Sequence, residues 1–338
     1  MNESAKIFVA DHQGMVGAAI ARELIEQGHP ARNIVTRSAS KLPLKHQSAV
    51  LAFFARESID QIYLPVAHPT GVAREQHPAD ILLSLSHVIH AASVHRVPKL
   101  VLIGSPHIYP QMAMSPLAEE ELLTGRLDPT SENLGLAQIT AIHLCNQLSR
   151  AHQSTGGQAP ALDYRCLITP TPYGPGDDYI TLQSDTVAGM LGRLHLAKMA
   201  GERRVSLPTN GATWHEYLYV SEAARAAIYL MNVAHGAYQQ QTRHGVGHIN
   251  AGDSKDYSLS ALAQTIAEVI RYNGVIDMPL PNYETGPRRR LDSYRMRMLG
   301  WRPALCMQEG LALAYDDYLA HHTAAASAAG LAPVLCRS

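Results

Sequence analysis

Cysteine is scarce, with four in 338 residues, at positions 145, 166, 306 and 336. No Cys-x-x-Cys spacing occurs, which excludes a zinc ribbon or a dithiol redox motif, and the thiols are expected to stay reduced. No sign of charge dominates: 28 Lys and Arg face 29 Asp and Glu, for a formal net charge of -1. Non-specific binding to nucleic acid or to a membrane surface draws on a basic excess, so neither partner is expected. No apolar run approaches the roughly 18 to 20 residues of a membrane span, and Met1 to Lys6 lacks the basic-then-apolar order of a leader. A cytoplasmic globular protein is the expectation.

Histidine, by contrast, is plentiful, with 18 residues. His87, His90 and His95 have a spacing that could put ligands on one helix face, but no carboxylate or cysteine completes a set, and no metal is expected. The chain exceeds the roughly 250 to 300 residues at which a single core stops growing, which predicts two domains or one large α/β unit.

From residue 6 onward, short β-branched runs alternate with helical patterns. Strands are predicted at Lys6 to Ala10, Asn33 to Thr36, Asp60 to Leu64, Lys99 to Gly104 and Asp163 to Thr169. Helices are predicted at Val16 to Glu26, Gln47 to Arg56, Ala79 to Val94 and Ser131 to His152. Such alternation specifies an α/β fold, a Rossmann-type doubly wound parallel sheet. Beyond Pro170 the pattern loosens into helices at Thr186 to Met199, Ser258 to Arg271 and Met307 to Leu319, with short strands near Arg204 to Leu207 and His248 to Ala251. The expected organisation is a nucleotide-binding domain over residues 1–169 and a smaller C-terminal substrate-binding lobe over 170–320, with some chain returning to the sheet. An Ala-rich, flexible tail is expected over 321–338.

Gly14 and Gly17 follow the first strand and open the first helix, the context in which a glycine turn holds a dinucleotide. Gly14 would let the backbone approach a pyrophosphate, and Gly17 would let the helix pack on the strand. Gly14, Met15, Val16 and Gly17 are therefore candidate cofactor contacts, joined by Arg37 after the second strand, where a 2′-phosphate would be met. Asp11, however, stands where such a turn wants its first glycine. At about 4 Å and an effective dielectric of about 20, its carboxylate would repel each phosphate charge by roughly 4 kcal/mol. NADP(H) is thereby left in doubt as a cofactor.

With these residues in view, the chain resembles GDP-L-fucose synthase, an epimerase-reductase family of the extended short-chain dehydrogenase/reductase group, over about residues 5 to 320. The likeness rests on Lys6-Ile-Phe-Val-Ala with Gly14-Met-Val-Gly17, Ile59-Asp-Gln-Ile-Tyr-Leu64, Pro78-Ala-Asp80, Gly104-Ser105 with Ile108-Tyr-Pro110, Tyr173-Gly-Pro175 and Leu299-Gly-Trp301. The resemblance implies a serine at Ser105, a homodimer built on the two helices at Ala79 to Val94 and Ser131 to His152, and a Tyr-x-x-x-Lys pair that moves a proton while NADPH delivers hydride. Here Leu134 stands in place of that tyrosine and Gln138 in place of that lysine. Leucine transfers no proton and glutamine carries no charge to tune a neighbour, so ordinary ketone reduction is not expected.

The resemblance also implies an acid-base pair for epimerisation, whose positions hold His107 and Asp185. An imidazole titrates near neutral pH and can take or give a proton. Ser105, His107 and Asp185 are the candidate catalytic residues; as alternatives, His107 is a polar filler and Asp185 a helix cap. Arg193 matches an arginine that holds the nucleotide-sugar phosphates, Thr171 and His68 replace family residues around the cofactor, and Arg193 and Thr171 are the candidate substrate contacts. A tryptophan of the family appears as Pro208, and His215 stands where the family has an arginine.

Three readings follow. The first is a repurposed, non-redox acid-base enzyme, such as an isomerase, dehydratase or cyclase, acting on a nucleotide-sugar or an unrelated small molecule. The second is a silent binding or scaffold pseudoenzyme. The third is an NADPH-dependent GDP-4-keto-6-deoxymannose epimerase-reductase.

Overall fold

The computed structural model describes residues 4–66, 78–153, 162–179, 186–207, 209–242, 247–278 and 288–328. Its strands in chain order are β1 (Ile7–Val9), β2 (Ile34–Val35), β3 (Gln61–Pro65), β4 (Lys99–Gly104), β5 (Asp163–Ile168), β6 (Thr171–Tyr173), β7 (Arg204–Ser206), β8 (Trp214–Tyr219), β9 (Ile249–Asn250), β10 (Asp256–Ser258) and β11 (Val275–Asp277). The helices are α1 (Met15–Glu26), α2 (Gln47–Arg56), α3 (Pro78–Val94), α4 (Glu132–Gln153), α5 (Val187–Met199), α6 (Val220–Asn232), α7 (His235–Gln241), α8 (Leu259–Ile270), α9 (Tyr294–Met298) and α10 (Met307–Ala328). The chain divides into two compact units, one made of residues 1–172, 215–256 and 287–304, the other of residues 173–214, 257–286 and 305–338.

The first unit holds a six-stranded sheet in the order β2-β1-β3-β4-β5-β9, with every neighbouring pair parallel. This is the doubly wound sheet that the alternating pattern predicts. Alternate residues feed two separate cores. Phe8, Ile62, Leu64, Leu100 and Leu102 enter one, with Phe54 of α2, Val88 of α3 and Ile142 of α4. Ile7, Val9, Val101, Ile103 and Leu167 enter the other, with Ile20 and Leu24 of α1 and Ile228 of α6. Strands covered on both faces read as near-continuous apolar runs, and β4 does so.

A charged exception lies within β5. Arg165 is buried, with 1% of its surface exposed, and its Nε donates to Asp163 Oδ1 at 2.7 Å. Its Nη1 donates to the Leu230 carbonyl and, at 2.8 Å, to the Val233 carbonyl, and its Nη2 to Asp163 Oδ2. The guanidinium therefore satisfies carbonyls at the end of α6, where the helix dipole favours a cation. It also lies 5.2 Å from the centre of the Tyr238 ring. Burial alone would raise the Asp163 carboxyl, but the bonds from Arg165 and His235 hold it below the usual range.

From β1 the chain steps to β2 on one side and then to β3 on the other. The connections that follow β1 and β3 therefore leave to opposite faces, α1 on one and α3 on the other, and leave a crevice where open α/β sheets bind ligands.

The second unit gathers α5, α8 and α10 beside the parallel pair β7 and β11. Its helices start where side chains cap them: Thr186 Oγ1 accepts from the Gly189 amide at 3.0 Å and Ser258 Oγ from the Ala261 amide at 3.2 Å. The helix predicted over Met307 to Leu319 runs on to Ala328, so the first eight residues of the expected flexible tail are helical. Among the described residues no helix is long and apolar enough to cross a membrane.

Candidate functional site

The crevice at the β1/β3 switch point contains a cavity of about 390 Å³, within the usual range of small-molecule sites. It is lined by Asp11, His12 and Gln13 after β1, Arg37 after β2, Lys45 before α2, Leu64 and Pro65 of β3, and Asp80 and Ser84 of α3. His12 Nδ1 is buried and without a hydrogen-bond partner among the described residues. Arg37 is ion-paired with Glu57 at 2.9 Å and lies over the Phe53 ring. Lys45 is ion-paired with Asp80 at 3.0 Å.

Of the predicted cofactor residues, Arg37 lines this cavity, while Gly14, Met15, Val16 and Gly17 form the cap and first turn of α1 behind its wall. The turn is tight. A Cβ on Gly17 would lie 2.2 Å from the Asp11 carbonyl oxygen, so only glycine lets α1 leave β1 at this angle. The Gly14 amide donates to that same carbonyl at 2.9 Å. Asp11 itself has φ +49, in the left-handed region that glycine favours. Sequence reasoning missed His12, Gln13, Lys45 and Asp80. Lys45 and Asp80 meet only because the fold brings the start of α2 to the start of α3, and no local signal announces them.

The wall suits a phosphorylated dinucleotide in its chemistry, with two cations, a spare imidazole nitrogen and a glycine turn at a helix amino end. Asp11 is the discordant residue, and its protonation decides how much that matters. Burial pushes its carboxyl up to about 6, with the Gly14 amide opposing the rise. Neutralising it at pH 7 therefore costs about 1.4 kcal/mol, less than the roughly 4 kcal/mol by which a charged carboxylate would repel a phosphate.

At the end of β4 the chain presents the second group of candidates. Ser105 is buried, and its amide donates to Gln138 Oε1 at 2.7 Å. Gln138 Nε2 donates back to Ser105 Oγ at 3.0 Å. Gln138, fully buried in α4, thus fills the place of a lysine with a neutral amide that satisfies the serine. Leu134, one turn earlier, packs partly buried against the apolar core.

Ser105 and His107 share one short 3-10 turn, Pro106–Ile108 with Ser105 at its cap. His107 Nδ1 is hydrogen-bonded to Ser131 Oγ at 3.0 Å. Burial first, and then the charge of Arg289, lower the His107 pKa, so the ring is neutral near pH 7. Arg289 Nη2 fastens the turn by donating to the carbonyls of Pro106 at 2.9 Å and Tyr109 at 3.1 Å. From the α4 side, a Cβ on Gly135 would lie 2.5 Å from the His107 carbonyl oxygen, so glycine lets the helix approach. The result is an oriented, uncharged imidazole, which is a competent proton acceptor.

Tyr109 does not supply the missing phenol. Its hydroxyl is locked between His248 Nε2 at 2.8 Å and Asn250 Oδ1 at 2.6 Å, and burial raises its pKa well above the usual value. Asp185, His68 and Pro208 lie outside the described residues. Thr171 is exposed at the start of β6 in the first unit. Arg193 is exposed in the second unit and donates to the Ser206 carbonyl at 3.3 and 3.2 Å. Among the described residues no group of three or more His, Cys, Asp or Glu side chains is placed to hold a metal ion.

Comparison with known proteins places this geometry in context. A family model described as the NAD dependent epimerase/dehydratase family matches residues 7–250. GDP-L-fucose synthase of Escherichia coli (strain K12) is 36% identical over 319 residues, covering 93% of this chain and 96% of its own. GDP-L-fucose synthase 1 of Arabidopsis thaliana is 33% identical over 325 residues, covering 94% of both chains. Among solved structures, a GDP-D-glycero-L-gluco-heptose synthase from Campylobacter jejuni, crystallised in the presence of NADPH, superposes with a TM-score of 0.83 at 25% identity, covering 94% of this chain and 99% of its own. A GDP-mannoheptose C4 reductase from the same organism, with NADP bound, gives a TM-score of 0.81 at 25% identity over the same shares.

Two expectations change. The doubt that Asp11 casts on NADP(H) is overturned: similar proteins of the same fold are solved with NADPH or NADP, and the buried carboxyl of Asp11 is easily neutralised. The relatives also favour the epimerase-reductase alternative over a repurposed non-redox enzyme or a silent scaffold.

Proposed function

This chain belongs to the NAD dependent epimerase/dehydratase family, and from that premise we propose that it binds NADP(H) and a GDP-linked ketosugar as an epimerase-reductase whose proton transfer falls to His107. The observation that carries the reading is the His107 ring, neutral and tethered through Nδ1 to Ser131, on the same turn as Ser105. Arg37, Lys45, His12 and the β1–α1 turn would hold the dinucleotide. When bound, NADPH would supply hydride to the ketone carbon, with solvent water supplying the proton to the carbonyl oxygen in place of the absent phenol. The neutral imidazole of His107 takes a proton from the carbon beside the ketone, and Ser105 Oγ positions the carbonyl oxygen. Arg289 keeps the turn in place and, after burial, helps to lower the pKa of the ring. Asp185 is assigned to the second proton transfer, and Arg193 and Thr171 to the nucleotide-sugar. The reduction half is slow, because no phenol-ammonium pair stands at 134 and 138.

The test uses GDP-4-keto-6-deoxymannose with NADPH in heavy water. Deuterium enters the carbons flanking the ketone, read by mass spectrometry, and His107→Ala lowers that rate by about 10²-fold. Absence of both deuterium uptake and NADPH consumption by the parent protein would refute the reading. The sign of the pH dependence follows from the lowered His107 pKa. Exchange falls on acidification only below the ordinary imidazole range of about 6.5, where the ring gains its proton, and is level at neutral pH.

A cytoplasmic homodimer goes with this reading. Leu82 and Leu83 of α3 and Leu136 of α4 are 37%, 40% and 49% exposed, an apolar strip on two helices that pack together. The double variant Leu83→Asp with Leu136→Asp is expected to sediment at half the parent mass, and a parent that sediments as a monomer removes the dimer.

A further inference from the structure

Asp11 occupies the one position of the cofactor turn at which a side chain replaces glycine. Its left-handed φ of +49 turns the chain so that the carboxylate folds back on the helix start. A Cβ on Gly14 would lie 2.3 Å from Asp11 Oδ2, so the carboxylate rests directly on the Gly14 backbone. Gly14 is the cap of α1 and, as glycine, brings no side chain to cap it, while its backbone amide opposes the rise of the Asp11 carboxyl. The helix amino end draws negative charge, and in a sheet of this topology the dinucleotide pyrophosphate seeks the same place. Asp11 also lines the 390 Å³ cavity. Two anions thus compete for one helix terminus.

We propose that Asp11 makes dinucleotide binding proton-linked: the site takes up one proton, onto the Asp11 carboxyl, as the pyrophosphate settles at the amino end of α1. The inference rests on the NADP(H) reading above. In the step, a carboxylate and a solvent proton become a carboxylic acid, and no bond of the dinucleotide breaks. The acid form removes one negative charge and gains a donor.

The charged groups facing Asp11 across the cavity are His12 beside it, Arg37 after β2, Lys45 before α2 and Asp80 on α3. Arg37 is engaged by Glu57 and Lys45 by Asp80, and among the described residues neither cation forms an ion pair with Asp11. Neutralisation therefore falls to a proton. Burial already holds the carboxyl near 6, and an adjacent phosphate raises it further. Because the bound form carries the extra proton, affinity is greatest on the acid side and weakens as pH rises above about 6.

The experiment compares the parent with Asp11→Asn and Asp11→Gly, using NADPH and NADH as probes. Asparagine and glycine both accept the left-handed φ, so the turn is kept, and circular dichroism checks the fold. For the parent, Kd rises by up to about tenfold per pH unit between roughly pH 6.5 and 8.5, and both variants lose that slope. Comparison of the parent with the variants at each pH cancels the titration of the 2′-phosphate, and NADH lacks the 2′-phosphate altogether. Calorimetry in buffers of different ionisation enthalpy then counts one proton more for the parent than for Asp11→Asn. Equal slopes and equal proton counts would overturn the linkage while leaving the cofactor reading intact. Failure of all three proteins to bind either dinucleotide at any pH would overturn both.

Discussion

Together, Leu134→Tyr and Gln138→Lys are expected to raise NADPH-dependent reduction of a GDP-ketosugar by about 10²- to 10⁴-fold, the usual worth of a positioned general acid. In the parent, Gln138 is buried and spent on Ser105, and Leu134 has no proton to give. The two replacements act as a unit. A phenol at position 134 alone keeps a pKa of about 10 and is a poor proton exchanger at neutral pH. An ammonium at position 138 alone has no phenol to tune. Each single variant should therefore stay close to the parent, and the gain should appear only in the pair. The loss of reduced-nicotinamide absorbance gives the rate, and a double variant no faster than the parent would show that more than these two groups separates this chain from a competent reductase.

Arg165→Met should cost about 3 to 5 kcal/mol of stability, measured by urea unfolding, because it strands a buried carboxylate. Asp163 would lose the guanidinium that holds it ionised, and the Leu230 and Val233 carbonyls at the end of α6 would lose their donor. Since the Asp163 pKa is depressed in the fold, the pair contributes stability above the ordinary carboxyl pKa and loses it as pH falls below that range. The parent and Arg165→Met should thus differ most near neutrality and converge in acid. Replacing both members, as Arg165→Met with Asp163→Asn, should recover much of the loss, because the uncompensated charge is then gone. A single variant as stable as the parent would mean that water reaches Asp163.

The parallel sheet was legible because its signal repeats. Lys99–Gly104 and Gln47–Arg56 have the same bounds in the sequence pattern and in the fold, since each is an apolar run or an amphipathic stretch between clear breaks. The helix α6 was overlooked although Val220, Ala223, Ala224, Ala227, Ile228 and Met231 are all buried at helical spacing. Its apolar face is as sharply segregated as that of α8, so the signal was present in the sequence. Arg165 was opaque for a different reason: Asp-Tyr-Arg-Cys-Leu-Ile looks like a strand with one wet face. Only the end of α6, contributed from 65 residues further along, shows what the charge does there.

At the candidate site the legible part was local. Ser105 and His107 lie on one turn and Leu134 and Gln138 are one helical step apart, and all four positions were marked by the family resemblance. The Lys45–Asp80 pair, the His12 nitrogen and the Arg289 clasp on the Pro106 turn depend on contacts between distant segments. No local pattern encodes them.

The edge strand β9 reaches β5 from residue 249, about 80 residues after β5 ends. On a ribosome adding roughly 5 to 20 residues per second, β5 waits about 4 to 16 s with a bare row of amides and carbonyls. Until its late neighbour arrives, that row is open to any extended segment of a nascent chain nearby. Newly made protein is therefore most prone to self-association during this interval, before the chain has a sheet with both borders in place.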